Sequence, residues 1–234
     1  MIQSKYFMLC LQAAISKIPR NLTMCFVTLL ICSVLGLLIA LVRTYRIPVL
    51  APMLDVFIAL CKAFPANLVM LICVMVYTYK FNDLIALLHL KMTIRDVDLM
   101  YIAIVALTIV ALPGISEVFR SGLLSIPKGQ FEAGYAVGMT AFQTFRDIIF
   151  PQMLRIVVPT LTNSTLSLMK TTALVNVMGV SDILKGATDA AQDAYCFLEA
   201  YLAAALVFWV IGFIIERVSK FTESYFSRSV KQIA

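Results

Sequence analysis

The sequence contains little charge, and this scarcity is its first informative feature. Only 14% of the 234 residues are Asp, Glu, Lys or Arg, whereas 62% are hydrophobic. The mean hydropathy is +0.94. Soluble domains are about half apolar and about a quarter charged. The composition therefore excludes an ordinary soluble domain and indicates a chain whose solvent is lipid.

Metal and redox motifs are also missing. The only histidine, His89, lies in a polar connection without neighbouring Cys or His residues, which predicts no metal site. The six cysteines include no C-x-x-C pair, and most lie inside apolar runs, where cysteine acts as a small hydrophobic residue. We therefore expect no metal, no cofactor and no redox function.

The basic charge balance does not indicate nucleic acid as a partner. The net charge is +6, but the 19 Lys and Arg residues are spread over short connections between apolar segments instead of forming one basic face. Anionic lipid headgroups explain that distribution better. Membrane lipid, and not nucleic acid, is the expected contact of these residues.

Signatures of other transporter classes are absent as well. The sequence has no G-x-x-x-x-G-K-[ST] phosphate loop, so if ATP drives transport, its hydrolysis must occur on another polypeptide. It shows no internal repeat, which disfavours a secondary transporter made of inverted halves. An ion-coupled carrier needs an acidic relay inside its spans, whereas Asp55 and Glu199 lie near span ends.

The apolar residues form segments long enough to cross a bilayer, whose hydrocarbon core of about 30 Å requires about 20 helical residues. Five segments meet this length: 22–42, 53–79, 99–119, 151–178 and 197–218. Residues 1–21 lack a signal-peptide cleavage pattern, and 6–18 alternate at helical spacing, which predicts an interfacial amphipathic helix. The sequence thus predicts an all-α polytopic protein with a transmembrane domain over 22–218 and a cytoplasmic tail over 219–234.

An odd number of spans places the termini on opposite sides, and Lys and Arg residues indicate which side is cytoplasmic. Ten lie on one side: Arg43, Arg46, Arg120, Lys128, Arg146, Arg155, Arg217, Lys220, Arg228 and Lys231. Seven lie on the other: Lys5, Lys17, Arg20, Lys80, Lys91, Arg95 and Lys185. The richer side should face the cytoplasm, with the N-terminus outside and the C-terminus inside.

The connection between the third and fourth predicted spans is too polar to cross a membrane and too patterned for a loose linker. Pro127 is typical of a helix start, Glu132 favours the first turn, and Gly138 interrupts the apolar spacing that follows. The two apolar faces consist of Phe131, Tyr135 and Met139, and of Phe142, Phe145 and Ile149. Pro151 should then reset the backbone for the fourth span. Residues 126–150 are therefore predicted to form a helix–elbow–helix, either flat on the headgroups or inserted into a groove of a cytoplasmic partner.

These residues resemble the EAA motif of the membrane subunits of ATP-binding-cassette importers. The matching positions are Glu132, Ala133, Gly134, Gly138, Ile148, Ile149, Phe150 and Pro151. Gly134 stands in place of the second Ala, and Phe150 in place of a usual Leu. The flanking stretches 117–139 and 159–184 are similar to the polar amino-acid branch of that family.

The resemblance implies a type I importer permease with five spans and a coupling helix seated in a cleft of the ATPase subunit. Glu132 would be its charged anchor and Gly138 its bend. The implied coupling residues also include Gln130, Ala133, Gly134, Met139 and Pro151. The implied partners are two ATPase subunits, a second permease copy or a similar chain, an extracellular solute-binding protein and an amino-acid substrate, at a bacterial inner membrane.

Candidate substrate contacts lie in the fourth predicted span. Its polar residues recur at three- and four-residue intervals and share one helical face, which should line the bundle interior because polar groups are costly in hydrocarbon. They are Thr160, Asn163, Ser164, Ser167, Lys170 and Thr171. In one hypothesis Asn163 and Ser167 bond to substrate and Lys170 attracts its carboxylate. In the other the stripe joins helices and Lys170 snorkels to the outer interface.

Two departures from the family pattern support a second hypothesis for function. The usual R-G-T-P of the second span reads Lys62, Ala63, Phe64, Pro65, and Pro65 predicts a kink. The usual L-K-D-T-S-L of the fourth span reads M-K-T-T-A-L over 169–174. The alternative is a degenerate, non-conducting scaffold subunit of the same kind of complex.

Charged residues complete the predicted site. Glu117 and Arg120 lie one helical turn apart near the cytoplasmic end of the third span and should form an ion pair beside a gate. At an exposed position such a pair is worth only about 0.3–0.5 kcal/mol. Lys62, inside the second span, belongs to the substrate pathway that the resemblance implies.

Overall fold

The computed structural model describes residues 3–87, 89 and 91–231, with side chains for all of these except Leu84 and residues 225–231. Its helices are α1 Ser4–Ser16, α2 Ile18–Thr44, α3 Leu50–Ala63, α4 Ala66–Leu87, α5 Leu99–Leu124, α6 Lys128–Ala136, α7 Ala141–Thr144, α8 Phe150–Thr171, α9 Ile183–Ala191 and α10 Phe197–Lys231. Short 3₁₀ segments cover Ile94–Asp96 and Thr172–Met178, and a π-helical turn covers Phe145–Ile149. No strand occurs within these residues, and the predicted all-α class is confirmed.

Four helical stretches are long and apolar enough to cross a membrane. They are Ser4–Thr44, Ala66–Leu87, Leu99–Leu124 and Phe197–Ser224, among the residues that the structure describes. The fourth predicted span, 151–178, is not one of them, because α8 carries the polar stripe. Helix α8 ends at Thr171, where the 3₁₀ segment begins. The number of spans therefore stays a prediction.

The second predicted span is not a single kinked helix, which corrects the prediction for 53–79. Helix α3 ends at Ala63 and α4 begins at Ala66. Pro65 lacks an N–H and disfavours the helical conformation in Phe64, the residue before it. The 14 residues of α3 extend only about 21 Å. The proline therefore divides this segment into two helices instead of bending one.

The helix that contains the fifth predicted span continues past residue 218, and the boundary between membrane domain and tail stays a prediction. Helix α10 continues for 35 residues and passes through most of the predicted tail, of which residues 232–234 lie outside the described part of the chain. Between residues 214 and 231 the sequence has neither Gly nor Pro, so no residue in this stretch ends the helix. The hydrophobic run ends at 218, but the helix does not.

The chain forms two compact units, and the first comprises Met1–Ile31, Lys62–Val110 and Ser167–Phe213. Here α1 packs against α9 so closely that a Cβ on Gly186 would lie 2.7 Å from Cγ of Lys17. Asp182 begins α9, where its Oδ1 accepts a hydrogen bond of 2.7 Å from the Lys185 N–H. The predicted N-terminal segment is helical in α1, which packs against α9, and its interfacial position stays a prediction.

The second unit comprises Cys32–Cys61, Ala111–Leu166 and Ile214–Ala234. Glycines allow its helices to approach closely. A Cβ on Gly36 of α2 would lie 3.2 Å from Ile115 Cγ2 and from the Ser116 backbone nitrogen of α5. A Cβ on Gly122 of α5 would collide with the Val157 side chain of α8. The ends of α5 and α8 are therefore closely packed at the positions between which the predicted elbow lies.

Candidate functional site

The predicted elbow is present and depends on a left-handed glycine. Helix α6 begins after Pro127 and ends at Ala136, and Gly138 has a φ of +81°. An L-residue is disfavoured at this φ, whereas glycine adopts it freely. Thr140 then caps the next helix, because its Oγ1 accepts from the Gln143 N–H at 3.3 Å while Gln143 Oε1 accepts from the Thr140 N–H at 2.8 Å. The chain therefore leaves one helix and enters the next within four residues.

Gly134 is the point at which α6 and α7 touch. A Cβ built on it would lie 2.6 Å from both Oγ1 and Cγ2 of Thr144, closer than non-bonded atoms can approach without displacement. Both residues are buried. The structure therefore explains why this sequence has glycine where the EAA motif usually has its second alanine.

The first turn of α6 is hydrogen-bonded to the start of α8, and Glu132, the charged residue of the motif, lies just after that turn. The Gln152 amide Nε2 donates to Gln130 Oε1 at 3.1 Å. Glu132 and Ala133 are exposed, and Met139 is half-buried. Glu132 lies at the edge of a cavity of about 390 Å³. Its other lining residues are Thr44, Tyr45, Leu123, Leu124, Ile126, Lys128 and Phe131.

An apolar ridge projects from the elbow. Tyr135, Val137 and Phe142 are 52%, 76% and 69% exposed. The Arg146 guanidinium lies 5.9 Å from the centre of the Phe142 ring and bonds to the Asp147 carboxylate at 2.7 Å. That hydrogen bond holds the pKa of Asp147 below its usual value. Exposed aromatic surface beside a fixed charge pair is typical of a protein contact.

The second half of the elbow runs directly into α8. Ala141–Thr144, the π turn and Phe150–Thr171 follow one another without a break, so Pro151 does not reset the backbone as predicted. Pro151 cannot donate to the carbonyl four residues earlier, and its ring crowds that carbonyl. In the π turn the Phe150 N–H instead donates to the Phe145 carbonyl, five residues back, and this wider turn accommodates the proline.

A charge cluster larger than the predicted pair lies in the second unit. Arg120 Nη1 is 3.6 Å from Glu117 Oε2, so the predicted ion pair is present. Arg43, which sequence reasoning missed, contacts Glu117 at 2.8 Å and Asp55 at 2.6 Å. Its side chain is only 9% exposed. Arg43 thus links the end of α2 to α3 and α5, and only folding brings these separated positions together.

The residues of the polar stripe of α8 are exposed or half-buried, and the expectation that they line the interior of the helix bundle stays a prediction. Thr160, Asn163, Ser167 and Lys170 are exposed, and Ser164 and Thr171 are half-buried. The apolar side of α8 is the covered one, with Met153, Val157, Leu168 and Met169 all buried. The hydroxyls of Thr160, Ser164 and Thr171 donate to carbonyls of their own helix, four residues back. This arrangement leaves the polar face open to another molecule.

The predicted substrate residues are distributed over both units of the chain. Asn163 Oδ1 accepts a hydrogen bond of 3.0 Å from Ser219 of α10 in the second unit. In the first unit Lys62 and Lys170 are exposed. Thr172, which sequence reasoning did not select, donates at 2.7 Å to Oδ1 of fully buried Asn21. The retained threonine of the altered M-K-T-T-A-L stretch is thus structural.

Known proteins share both the sequence pattern and the fold. The amino-acid permease YxeN of Bacillus subtilis, described as probable, is 31% identical over 86% of this chain and 85% of its own length. The probable amino-acid ABC transporter permease PatM of Vibrio harveyi is 27% identical over 84% and 83%. The L-cystine transport system permease TcyL of Bacillus subtilis is 29% identical over 92% and 88%.

Two solved structures have the same fold. One is a crystal structure of an amino acid ABC transporter with histidines; it has a TM-score of 0.79 and 21% identity and covers 96% of this chain and 99% of that chain. The other is the inward-facing MetNI methionine ABC transporter, with a TM-score of 0.64, 20% identity, and coverage of 90% and 96%. A family model described as binding-protein-dependent transport system inner membrane component matches residues 32–226. The chain therefore belongs to this family of multi-pass inner-membrane transport components.

Proposed function

We propose that this chain is the permease subunit of an ATP-driven importer of polar amino acids and receives the motion of separate ATPase subunits through the elbow at 126–150. The observation that carries the proposal is the elbow itself, a glycine-hinged helix pair continuous with α8. Relatives named as amino-acid and L-cystine permeases support the substrate class. Because those relatives are named permeases, the non-conducting scaffold is not favoured.

The elbow is built to transmit displacement. Gly134 against Thr144 and Gln130 against Gln152 hold α6 to the helical run that becomes α8. Closely packed elements move as rigid bodies, since their contacts do not deform continuously. A push on α6 therefore moves the base of α8, the helix that carries the polar stripe.

The surface of the elbow fits a cleft on an ATPase subunit. The exposed Glu132 carboxylate is available to a basic or hydrogen-bonding group, and charge-assisted bonds of this kind are the stronger ones. The exposed Tyr135, Val137 and Phe142 supply apolar area around it. Two permease chains would present two elbows, so two ATPase subunits close on them when ATP binds.

The exposed polar residues of α8 support the presence of a second permease chain. Polar groups facing hydrocarbon are costly, so Asn163, Ser167 and Lys170 are expected to face another copy, or a similar chain, across a watery path. On this path Asn163 and Ser167 offer hydrogen bonds, and Lys170 offers a positive charge to the substrate carboxylate. Lys62 and Thr171 belong to the same proposed pathway, and Glu117 with Arg120 forms the proposed gate pair.

The remaining parts of the proposal concern the surroundings of the chain. The Lys and Arg distribution supports a cytoplasmic C-terminus and an N-terminus outside the inner membrane of a bacterium. A solute-binding protein would then deliver the amino acid from the outer side. ATP hydrolysis takes place on the partner subunits in this arrangement.

Two substitutions in the elbow test the coupling role against a matched glycine control. Glu132→Gln removes the charge, and Gly138→Ala imposes a left-handed conformation on an L-residue at about 1–2 kcal/mol. Both should abolish uptake and substrate-stimulated ATP hydrolysis without preventing membrane insertion. Gly129→Ala should leave both activities intact. Gly129 lies in α6, as Glu132 does, and a Cβ added to it would have no heavy atom of another residue within 4 Å. Normal transport by the Glu132 and Gly138 variants would contradict the proposal.

A further inference from the structure

The cavity beside Glu132 lies in the second unit, where two helices of membrane length end. Its volume is about 390 Å³. Helix α2 ends at Thr44 and α5 ends at Leu124, and both residues line the cavity. Each helix belongs to a stretch that is long and apolar enough to cross a membrane. The ends of such stretches lie at the depth of the lipid headgroups, so the cavity is placed where a headgroup can enter it.

Most of the cavity wall is apolar. Leu123 and Ile126 are buried. Two other lining residues are exposed, Leu124 at 59% and Tyr45 at 53%. Tyrosine is enriched at membrane interfaces, because its ring is apolar and its hydroxyl reaches the polar layer. A wall of this composition fits the glycerol and upper acyl chain of a lipid.

Two opposite charges line the same cavity. Lys128 and Glu132 lie four residues apart in α6 and therefore share one face of that helix. Both are exposed, and within the described part of the chain neither forms an ion pair. Lysine before glutamate is the less favourable order for a pair at this spacing. Both charges are therefore available to a ligand that carries a negative and a positive group.

A third polar group of the cavity wall lacks a partner. Thr44 Oγ1 is buried and makes no hydrogen bond to any residue that the structure describes. A buried hydroxyl left unpaired is costly, and an anionic oxygen in the cavity would supply the missing acceptor. An ammonium, a carboxylate and a hydroxyl on apolar walls together fit a zwitterion attached to an apolar body.

We propose that this cavity binds the headgroup of a phospholipid that carries a primary ammonium, as phosphatidylethanolamine does. The Lys128 ammonium binds the lipid phosphate, and the Thr44 hydroxyl donates to a phosphate oxygen. The Glu132 carboxylate accepts hydrogen bonds from the lipid ammonium. The acyl chains pass Tyr45 and Leu124 toward the bilayer. The inference goes beyond the proposed transport function and does not depend on it.

Glu132 can serve the lipid and a protein partner together. It is exposed at the edge of the cavity. A carboxylate has two oxygens and about four acceptor sites, so one oxygen can accept from the lipid while the other faces an ATPase subunit. The glycerol headgroup of phosphatidylglycerol has no positive charge for this carboxylate. The site should therefore prefer the ethanolamine headgroup to the glycerol headgroup.

Native mass spectrometry of the whole, delipidated transporter tests this preference. The complex is titrated with phosphatidylethanolamine or with phosphatidylglycerol that has the same acyl chains, and the tightest-bound lipid per permease chain is measured. We expect ethanolamine lipid to bind about tenfold more tightly, which is the effect of one charged hydrogen bond. Equal binding of the two lipids would overturn the proposal.

Three variants assign the preference to this cavity. Glu132→Gln should bind the two lipids equally, because it removes the charge that distinguishes them. Lys128→Met should weaken the binding of both lipids about tenfold, because both carry the phosphate. Lys91→Met is the matched control, since Lys91 is exposed and does not line the cavity, and it should bind lipid as the original protein does. An ethanolamine preference that survives Glu132→Gln, or unchanged binding in Lys128→Met, would overturn the site.

A competition experiment distinguishes a lipid from a free zwitterion. Displacement of the ethanolamine lipid by a free amino acid such as glutamine would identify a soluble ligand and overturn the lipid assignment, whereas no displacement supports it. The transport proposal is tested separately. Loss of coupling in the Glu132 and Gly138 variants without any lipid preference would support the elbow and overturn this site. A lipid preference with normal coupling in those variants would do the reverse.

Discussion

The contact between Gly134 and Thr144 allows a double-mutant cycle inside the elbow. In Gly134→Ala the new Cβ would lie 2.6 Å from Oγ1 and Cγ2 of Thr144, so one of the two helices must shift. Overpacking of this kind costs about 1–3 kcal/mol. For a chain of this length each kcal/mol lowers the melting temperature by about 2–4 °C.

The partner substitution removes the atoms responsible for the clash. Thr144→Ala deletes Oγ1 and Cγ2 and leaves the residue 144 Cβ 3.2 Å from the new methyl group, which needs only a small adjustment. Thr144 Oγ1 is buried and has no hydrogen-bond partner in the described part of the chain, so its loss should cost little by itself. The double variant should therefore be more stable than Gly134→Ala alone, with a coupling energy of about 1–2 kcal/mol.

Two measurements test this double-mutant cycle: the melting temperature and substrate-stimulated ATP hydrolysis. The apparent melting temperature of the purified complex, followed by helical circular dichroism, should fall for Gly134→Ala and recover in the double variant. Substrate-stimulated ATP hydrolysis should follow the same order, because the contact aligns α6 with α8. Gly129→Ala is the matched control in α6. A double variant no more stable than Gly134→Ala would refute the reasoning.

Three further predictions concern charged side chains. Arg43→Gln should lower the melting temperature, because it removes charged hydrogen bonds worth about 1–3 kcal/mol. Arg46 is exposed, so Arg46→Gln should leave the melting temperature unchanged. An equal fall in both variants would contradict a stabilising role for the Arg43 ion pairs. Burial raises the pKa of Asp182 from 3.8 to about 6, so its ionisation opposes folding by up to about 3 kcal/mol as pH rises from about 4 to about 6. Asp182→Asn keeps a capping oxygen and should abolish this fall in melting temperature between about pH 4 and about pH 6; a variant with the same pH profile as the original protein would contradict the prediction. Lys170→Met should weaken amino-acid uptake if Lys170 meets the carboxylate, and unchanged uptake would favour a lysine that snorkels to the interface.

The elbow was the part of the site that sequence reasoning predicted best. Pro127, Gly138 and the capping residues act through local backbone rules, so their spacing is informative before any fold is known. The continuous run through Pro151 was missed because a π turn depends on how the helix packs around the proline. The contact between Gly134 and Thr144 was missed for a similar reason, since the two residues are ten positions apart in the sequence.

Contacts between distant segments lay beyond sequence reasoning. Arg43, Asp55 and Glu117 come from three helices, and only the fold shows that one guanidinium serves two carboxylates. The pairing of Asn21 with Thr172 is equally distant in sequence.

The sequence by itself determined the membrane class, the all-α architecture, the elbow and the transporter family, because composition, helical periodicity and short motifs act locally. Tertiary structure decided that Pro65 divides the second span into two helices and that α10 continues beyond its hydrophobic run. It also decided that Thr160, Asn163, Ser167 and Lys170 of α8 are exposed. It further decided which charged side chains form ion pairs. The physical reason is that burial and pairing depend on distances in space, and the amino-acid order alone does not contain those distances.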